Sequence, residues 1–122
     1  MPFKVLIVDD AMFMRAMIRD ILTNSGQFEV VGEAANGQEA VEKFKTLTPD
    51  LVTMDIVMPQ MDGIEACREI LKAHDGARVV MCSAIGQEAL VIESIAAGAK
   101  DFIVKPFSAE KVLKVLNAVM ES

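Results

Sequence analysis

Charged and hydroxyl side chains follow four short apolar runs of the sequence, each at the point where the run ends. The runs and the residues after them are 5–8 with Asp9 and Asp10, 51–54 with Asp55, 79–82 with Ser83, and 102–104 with Lys105. Short apolar runs are typical of buried strands in a parallel sheet. Side chains just past the carboxyl ends of such strands converge where the strand order reverses. The sequence therefore predicts that three acids, a hydroxyl and a lysine meet at one edge of a sheet.

Together these groups could perform phosphoryl transfer. Three carboxylates within a few Å repel one another, and without compensation at least one pKa would rise. Mg²⁺ removes this repulsion, and it usually takes one or two carboxylates together with water and phosphate oxygens. Lys105 adds a positive charge that can bind phosphate, and Ser83 adds a hydroxyl donor. Positioning and charge neutralisation supply most of the catalysis in sites of this kind.

Asp55 is the best-placed nucleophile of this set. Aspartate can accept a phosphoryl group to give an acyl phosphate, and Asp55 follows the strand that we predict to be central. The competing interpretation is a solvated salt-bridge network, which is common on surfaces and contributes little to stability. Complementary groups from four separate strand ends argue against it. A long distance from Asp55 to Asp9 and Asp10, or a Lys105 ammonium turned away from them, would exclude phosphoryl transfer.

Amphipathic helices alternate with the predicted strands. The apolar residues at helical spacing are Met14, Met17, Ile18, Ile21 and Leu22; Val41, Phe44 and Leu47; Ile64, Cys67, Ile70 and Leu71; and Val112, Val115, Leu116, Val119 and Met120. A further strand over 28–34, a helix over 87–97, and helix ends at Gly26 and Gly98 complete five β-α units. Such alternation predicts an α/β fold with helices on both faces of a parallel sheet. The flavodoxin-like (βα)5 order 2-1-3-4-5 fits and makes the first and third strands neighbours.

Composition and charge narrow the class of protein. A chain of 122 residues fits one globular domain over 1–122. The formal net charge of −6 disfavours direct binding to nucleic acid. No apolar run approaches the roughly 18 residues that span a bilayer, and the N-terminus lacks a signal-peptide pattern. We therefore expect a cytoplasmic protein without membrane contacts, and a monomer.

The cysteines and the single histidine carry no metal-site pattern. Cys67 and Cys82 have neither metal-ligand spacing nor a CxxC arrangement, so we interpret them as buried reduced thiols. His74 stands alone at a predicted helix end, and we interpret it as a surface residue because metal sites need several ligands together.

Seven short motifs give the chain a family resemblance. They are Val8-Asp9-Asp10, Met54-Asp55, Met58-Pro59, Asp62-Gly63, Ser83-Ala84, Gly98-Ala99 and Lys105-Pro106-Phe107. With these motifs the sequence resembles a response-regulator receiver domain over essentially its whole length. The resemblance implies that Asp55 accepts a phosphoryl group from a phosphohistidine on a sensor histidine kinase. It also implies that Asp10, Asp55 and the backbone carbonyl of Val57 bind Mg²⁺, that Asp9 acts directly or through a metal-bound water, and that Lys105 contacts the phosphoryl oxygens.

The same resemblance implies a conformational switch and a cis peptide bond between Lys105 and Pro106. Phosphorylation adds about −1.5 to −2 units of charge and three acceptor oxygens. Ser83 would then hydrogen-bond to the phosphoryl group and vacate space into which Phe102 could rotate. An ordinary packed aromatic is the alternative interpretation of Phe102.

A partner surface is expected on the fourth helix, fifth strand and fifth helix, next to the switch pair. Leu90, Val91 and Ile92 are consecutive, and at about 100° per residue they cannot all face the sheet. One or more should therefore be exposed, either as a docking patch or as an isolated apolar surface residue. Leu90→Glu should weaken partner binding and leave phosphorylation intact.

The pathway is indicated by resemblance alone. The segments 82–87 and 98–107 are most similar to bacterial single-domain chemotaxis regulators of the CheY type, which implies a CheA-type kinase, a flagellar motor switch protein and a phosphatase as partners. The alternative is a phosphorelay intermediate that hands the phosphoryl group to a histidine phosphotransfer protein. In either case the chain would be a signalling protein that catalyses only its own phosphorylation and dephosphorylation.

Two apolar residues predict slow loss of the phosphoryl group. Val57 and Ile85 stand two positions after the phosphorylated aspartate and the switch hydroxyl, where many chemotaxis regulators are polar, and neither can orient a water molecule. A phosphatase that inserts its own polar group would then be needed.

Two other classes of protein remain as alternatives. One is a haloacid-dehalogenase-type phosphatase, whose second aspartate is here Val57, and the other is a degenerate receiver that only binds partners.

Overall fold

Strands and helices alternate along the computed structural model, which describes residues 2–84 and 87–121. The strands are β1 (Phe3–Val8), β2 (Phe28–Ala34), β3 (Leu51–Met54), β4 (Val79–Ser83) and β5 (Asp101–Val104). The helices are α1 (Met12–Ser25), α2 (Gly37–Leu47), α3 (Gly63–Ala73), α4 (Glu88–Ala96) and α5 (Ala109–Glu121). Among these described helices none combines the length and apolar character required to cross a membrane.

The five strands form one parallel sheet in the order β2-β1-β3-β4-β5. This confirms the predicted α/β class and the 2-1-3-4-5 order. The β1–β3 register aligns Val8 with Met54, so the residues that follow them, Asp9 and Asp55, leave the sheet side by side. The position of the acids therefore follows from strand pairing.

Alternate side chains of the sheet build two separate cores, because successive residues of a strand point to opposite faces. On β1, Leu6 and Val8 belong to the core covered by α2 and α3. Val5 and Ile7 belong to the other core, which α1 and α5 cover. Fully burying a side chain of this size contributes roughly 1.5–3 kcal/mol, so both cores hold the central strands that carry the acids.

Polar caps and glycines set several helix boundaries. The Asn36 side chain accepts from the backbone N–H of Glu39 at 2.8 Å, and Asp62 accepts from Glu65 in the same way at 2.8 Å. These contacts satisfy backbone donors that have no partner within the first turn of a helix. Gly26 and Gly98 have φ of 72° and 106°. This left-handed conformation confirms the predicted helix ends.

Candidate phosphoryl-transfer site

Three carboxyl groups meet at the carboxyl ends of β1 and β3. One oxygen from each of Asp9, Asp10 and Asp55 lies within 4.8 Å of the others. The backbone N–H of Asp55 donates to Val8 O at 2.9 Å, which extends the β1–β3 ladder up to the site. Asp9 and Asp55 are only 1% and 8% exposed, whereas Asp10 is exposed. The predicted meeting of the three acids is confirmed.

Lys105 lies on the other side of the acids, as predicted. Its Nζ is 2.6 Å from Asp9 Oδ2 and 3.6 Å from Asp55 Oδ1. The backbone N–H of Lys105 donates to Ser83 O at 2.8 Å, which fixes the end of β5 against β4. The peptide bond that follows, to Pro106, is cis, as the family resemblance implied.

Burial and charge act against one another at Asp55. The pKa of Asp55 is raised from its ordinary 3.8 to about 6; burial is the largest cause, and the neighbouring charges of Asp9 and Asp10 act in the same direction. The Lys105 ammonium and the Ile56 N–H, which donates to Asp55 Oδ1 at 2.9 Å, lower it. The expected rise in one carboxyl pKa is therefore confirmed, but burial is a larger cause than repulsion among the acids.

Lys105 stays charged in this environment. Burial lowers the pKa of Lys105, but the hydrogen bond to Asp9 and the charges of Asp55 and Asp9 outweigh it, so the net direction is upward. One ammonium then faces three carboxyl groups. This donor set, with hard oxygens close together and unbalanced negative charge, fits a divalent cation such as Mg²⁺.

The loop after Asp55 is held closely against the start of α3. A Cβ at Gly63 would lie 2.0 Å from the backbone oxygen of Asp55, and the Gly63 N–H donates to Ile56 O at 2.8 Å. No side chain fits at that position without moving the backbone of Asp55 or Gly63. The sequence motif Asp62-Gly63 marked this site, but only the structure shows that its glycine allows the start of α3 to approach the backbone of Asp55.

Ser83 and Phe102 lie on neighbouring strands. Ser83 ends β4 and is 1% exposed, and Phe102 on β5 is aligned with Met81, two residues before Ser83. Phe102 packs, partly buried, against the core formed with α2 and α3. Side chains two residues apart in a strand share one face, so both members of the predicted pair lie on the same side of the sheet.

Val57 lies in the loop that follows Asp55, and its side chain is 60% exposed. Its predicted role in Mg²⁺ binding concerns its backbone carbonyl and stays a prediction. Ile85, the other apolar residue that predicts slow hydrolysis, lies outside the described residues.

Three interpretations of single residues were tested. Cys67 and Cys82 are buried free thiols, and burial raises their pKa values to about 11 and about 12, which confirms the predicted inert state. His74 is not a simple surface residue. It is partly buried, and its ring centroid lies 4.9 Å from that of Phe44, because the end of α3 packs against α2.

The choice of Leu90 as the exposed residue of α4 was wrong. Leu90 is partly buried and packs against the core, and the exposed member of the triplet is Ile92, at 60%. Ile95 and Val104 are also exposed, each at 48%. The general prediction that one of the three consecutive residues must be exposed is confirmed, because the helix cannot turn all three inward.

The family model for the response regulator receiver domain matches residues 5–117. The chain belongs to the response-regulator receiver family. It is 61% identical over 116 residues to the chemotaxis protein CheY of Thermotoga maritima, covering 95% of this chain and 96% of that protein. It is 60% identical over 120 residues to CheY of Bacillus subtilis, covering 98% and 99% of the two chains.

A solved structure resembles the fold closely. The crystal structure of the CheX-CheY-BeF3-Mg²⁺ complex from Borrelia burgdorferi contains a chain with 45% identity and a TM-score of 0.94, covering 98% of this chain and 90% of that one. The chain described here is therefore a CheY-like receiver, and the relatives support a role in two-component signalling and chemotaxis. It is a signalling protein and not a classical enzyme.

Proposed function

We propose that this receiver domain is switched by transfer of a phosphoryl group from a phosphohistidine of a CheA-type kinase to Asp55, with Mg²⁺ bound. The observation that carries the proposal is the arrangement of Asp9, Asp10 and Asp55 within 4.8 Å of one another beside the Lys105 ammonium. Asp10, Asp55 and the Val57 carbonyl would hold Mg²⁺, and Asp9 would act directly or through water. Bound Mg²⁺ supplies positive charge that offsets the charge of the acids and of the phosphoryl oxygens.

Asp55 and Lys105 would have different roles in the phosphoryl transfer. Asp55 Oδ1 already accepts from the Ile56 N–H, which leaves Oδ2 to attack phosphorus. As the new P–O bond forms, the P–N bond of the phosphohistidine breaks and its electron pair stays on the imidazole nitrogen. The imidazole leaves as a neutral ring when its other nitrogen already carries a proton. Lys105, now bonded to Asp9 at 2.6 Å, would donate to the phosphoryl oxygens. Its raised pKa keeps that donor charged at neutral pH.

Ser83 and Phe102 would couple phosphorylation of Asp55 to a conformational change outside the site. Their placement on one face of adjacent strands supports the idea that a move of Ser83 toward the phosphoryl group changes the space available to Phe102. A nearly complete reversal of the two populations needs about 5.5 kcal/mol of differential stabilisation. The binding partner would contribute part of it.

The exposed apolar residues Ile92, Ile95 and Val104 are the proposed docking surface for a flagellar motor switch protein. The relatives named for chemotaxis support this partner over a histidine phosphotransfer protein. Ile92→Glu should weaken binding of the phosphorylated chain to a motor-switch peptide at least tenfold and leave phosphorylation at the parental rate. Unchanged peptide affinity in this variant would exclude the surface, and transfer to a phosphotransfer protein would favour the phosphorelay.

The lifetime of the phosphorylated state would be set by a phosphatase. The Val57 side chain at the mouth of the site cannot orient water, so intrinsic hydrolysis should be slow. The relative crystallised in a complex with CheX, BeF3 and Mg²⁺ supports binding of an accessory protein. Val57→Asn should shorten the acyl phosphate lifetime, and equal decay in variant and parent would contradict the hypothesis. We further propose that the chain is a single domain, a monomer and cytoplasmic.

Intact-mass analysis after incubation with acetyl phosphate and Mg²⁺ tests the phosphorylation directly. The parent should gain the mass of one phosphoryl group, and Asp55→Asn should gain none. Asp62→Asn is the matched control, since Asp62 is an exposed acid that caps α3 and asparagine can cap equally well. A parent that takes up no phosphoryl group would favour the degenerate binding module, and repeated turnover of a small phosphate ester would favour the phosphatase class.

A further inference from the structure

Arg15 connects the backbone of the acid cluster to the edge of the sheet. Its Nη1 donates to the backbone carbonyl of Asp9 at 2.6 Å, and its Nε donates to Glu33 Oε1 on β2 at 2.9 Å. The side chain is only 15% exposed. The guanidinium is planar and rigid, so two contacts from one group fix its orientation more firmly than either contact would alone.

Both backbone groups of Asp9 form hydrogen bonds, one with β2 and one with Arg15 on α1. The Asp9 N–H donates to Ala34 O at 3.0 Å, and the carbonyl accepts from Arg15. Its side chain is held as well, because Oδ1 accepts from the Ala11 N–H at 2.9 Å and Oδ2 from Lys105. Hydrogen bonds therefore hold both the backbone and the side chain of Asp9 in place.

Asp10 depends on this arrangement for its direction. The carbonyl of Asp9 and the N–H of Asp10 belong to one planar peptide unit. A hydrogen bond that fixes that carbonyl therefore fixes the plane from which Asp10 leaves the strand. Asp10 itself is exposed, so burial does little to hold it.

We propose that Arg15, braced by Glu33, is a positioning residue for Mg²⁺ binding, which holds the Asp9–Asp10 peptide in the orientation that the metal requires. The inference rests on the proposed function, since it assumes that the acid cluster binds Mg²⁺. Arg15 acts through the backbone and does not contact the metal or the phosphoryl group. Charge alone would make a nearby arginine weaken the binding of a cation, whereas we expect Arg15 to strengthen it.

Arg19 provides a matched control. Its guanidinium donates to Glu33 Oε2, with Nε at 2.9 Å, and its side chain is 44% exposed. Arg19 thus carries the same charge to the same carboxylate, and within the described part of the chain it forms no hydrogen bond with Asp9. Replacing either arginine with methionine removes one positive charge beside Glu33, but only Arg15→Met frees the Asp9 carbonyl.

The test is a calorimetric titration of the full chain and its variants with Mg²⁺ and, separately, with Ca²⁺. Arg15→Met should raise the Kd for Mg²⁺ roughly threefold to tenfold, near the lower end of the effects seen when partners of metal ligands are removed. Arg19→Met should stay within about twofold of the parent. The Kd for Ca²⁺ should rise less in Arg15→Met, because Ca²⁺ tolerates irregular geometry and Mg²⁺ requires a near-ideal octahedron.

A purely electrostatic role would give the opposite sign, since loss of a nearby positive charge strengthens cation binding. Mg²⁺ binding in Arg15→Met as tight as in the parent, or equal weakening in Arg19→Met, would overturn the inference. Should Arg15→Met fail to fold, Arg15→Lys keeps the charge but cannot make both contacts, and an unchanged Kd there would overturn it too. A parent that does not bind Mg²⁺ would refute the proposed function instead, so the two failures are distinguishable.

Discussion

Replacing Asp55 with asparagine should stabilise the metal-free protein. Burial raises the pKa of Asp55 from 3.8 to about 6, so the folded state binds this proton more tightly than the unfolded state does. Ionisation therefore destabilises the fold as the pH rises through this range, and the cost is fully present above the folded pKa. The isosteric amide is neutral at every pH and avoids this cost.

The magnitude follows from the two pKa values. A change from 3.8 to about 6 corresponds to a cost of about 3 kcal/mol when the carboxyl group is fully ionised, at 1.36 kcal/mol for each pKa unit. The same relation gives roughly half of that at about pH 5 and nothing well below pH 4. Asparagine also leaves Lys105 with one partner fewer, so we expect a gain of about 1–3 kcal/mol at about pH 8.

Urea unfolding followed by far-ultraviolet circular dichroism, in EDTA, measures this gain. Asp62→Asn, an acid outside the cluster, should differ from the parent by less than about 0.5 kcal/mol. Mg²⁺ should stabilise the parent more than Asp55→Asn and so narrow the difference between them. The reasoning is refuted if Asp55→Asn is no more stable than the parent at about pH 8, or if its advantage is equal at about pH 5.

Three further experiments test other parts of the structure. Gly63→Ala should lower the free energy of unfolding by about 2 kcal/mol or more, because its Cβ would lie 2.0 Å from the Asp55 backbone oxygen. Gly76→Ala is the control: nothing lies within 4 Å of the added atom, so the same urea titration should show almost no change in stability. Lys105→Met should lower stability at about pH 8 by roughly 1–3 kcal/mol, since two buried carboxylates lose their cation, and equal stability would contradict the charge balance described. Cys67 and Cys82, with pKa values raised by burial to about 11 and about 12, should resist alkylation in the folded chain and react in urea, and rapid alkylation of the folded chain would argue against their burial.

Local patterns were sufficient to predict the elements and the positions of the acids along them. Apolar runs that end in Asp9 and Asp55, and a helical repeat such as Val112 to Met120, depend only on residue types and on the periods of strand and helix. Those periods are properties of the backbone, and the strands and helices were found where the patterns placed them.

Rotation of a helix about its axis was not determined by the pattern. Three consecutive apolar residues on α4 required that one be exposed, but the pattern did not identify Ile92 rather than Leu90. The fully buried residue of α4 is the polar Ser94, so the apolar pattern alone does not identify the inward face. The same limit applies to His74, whose contact with Phe44 depends on how α3 packs against α2.

The sequence by itself determined which residue types stand at the strand ends, and so which chemistry the site can perform. Only the tertiary structure decided the distances and the charges that result from them. Lys105 lies 2.6 Å from an aspartate 96 positions earlier in the chain. The pKa of Asp55 rises mainly because the folded chain buries it, and Arg15 on α1 bonds to Glu33, 18 positions later, because α1 packs beside β2. Each depends on contacts between distant segments, and short-range periodicity does not encode such contacts.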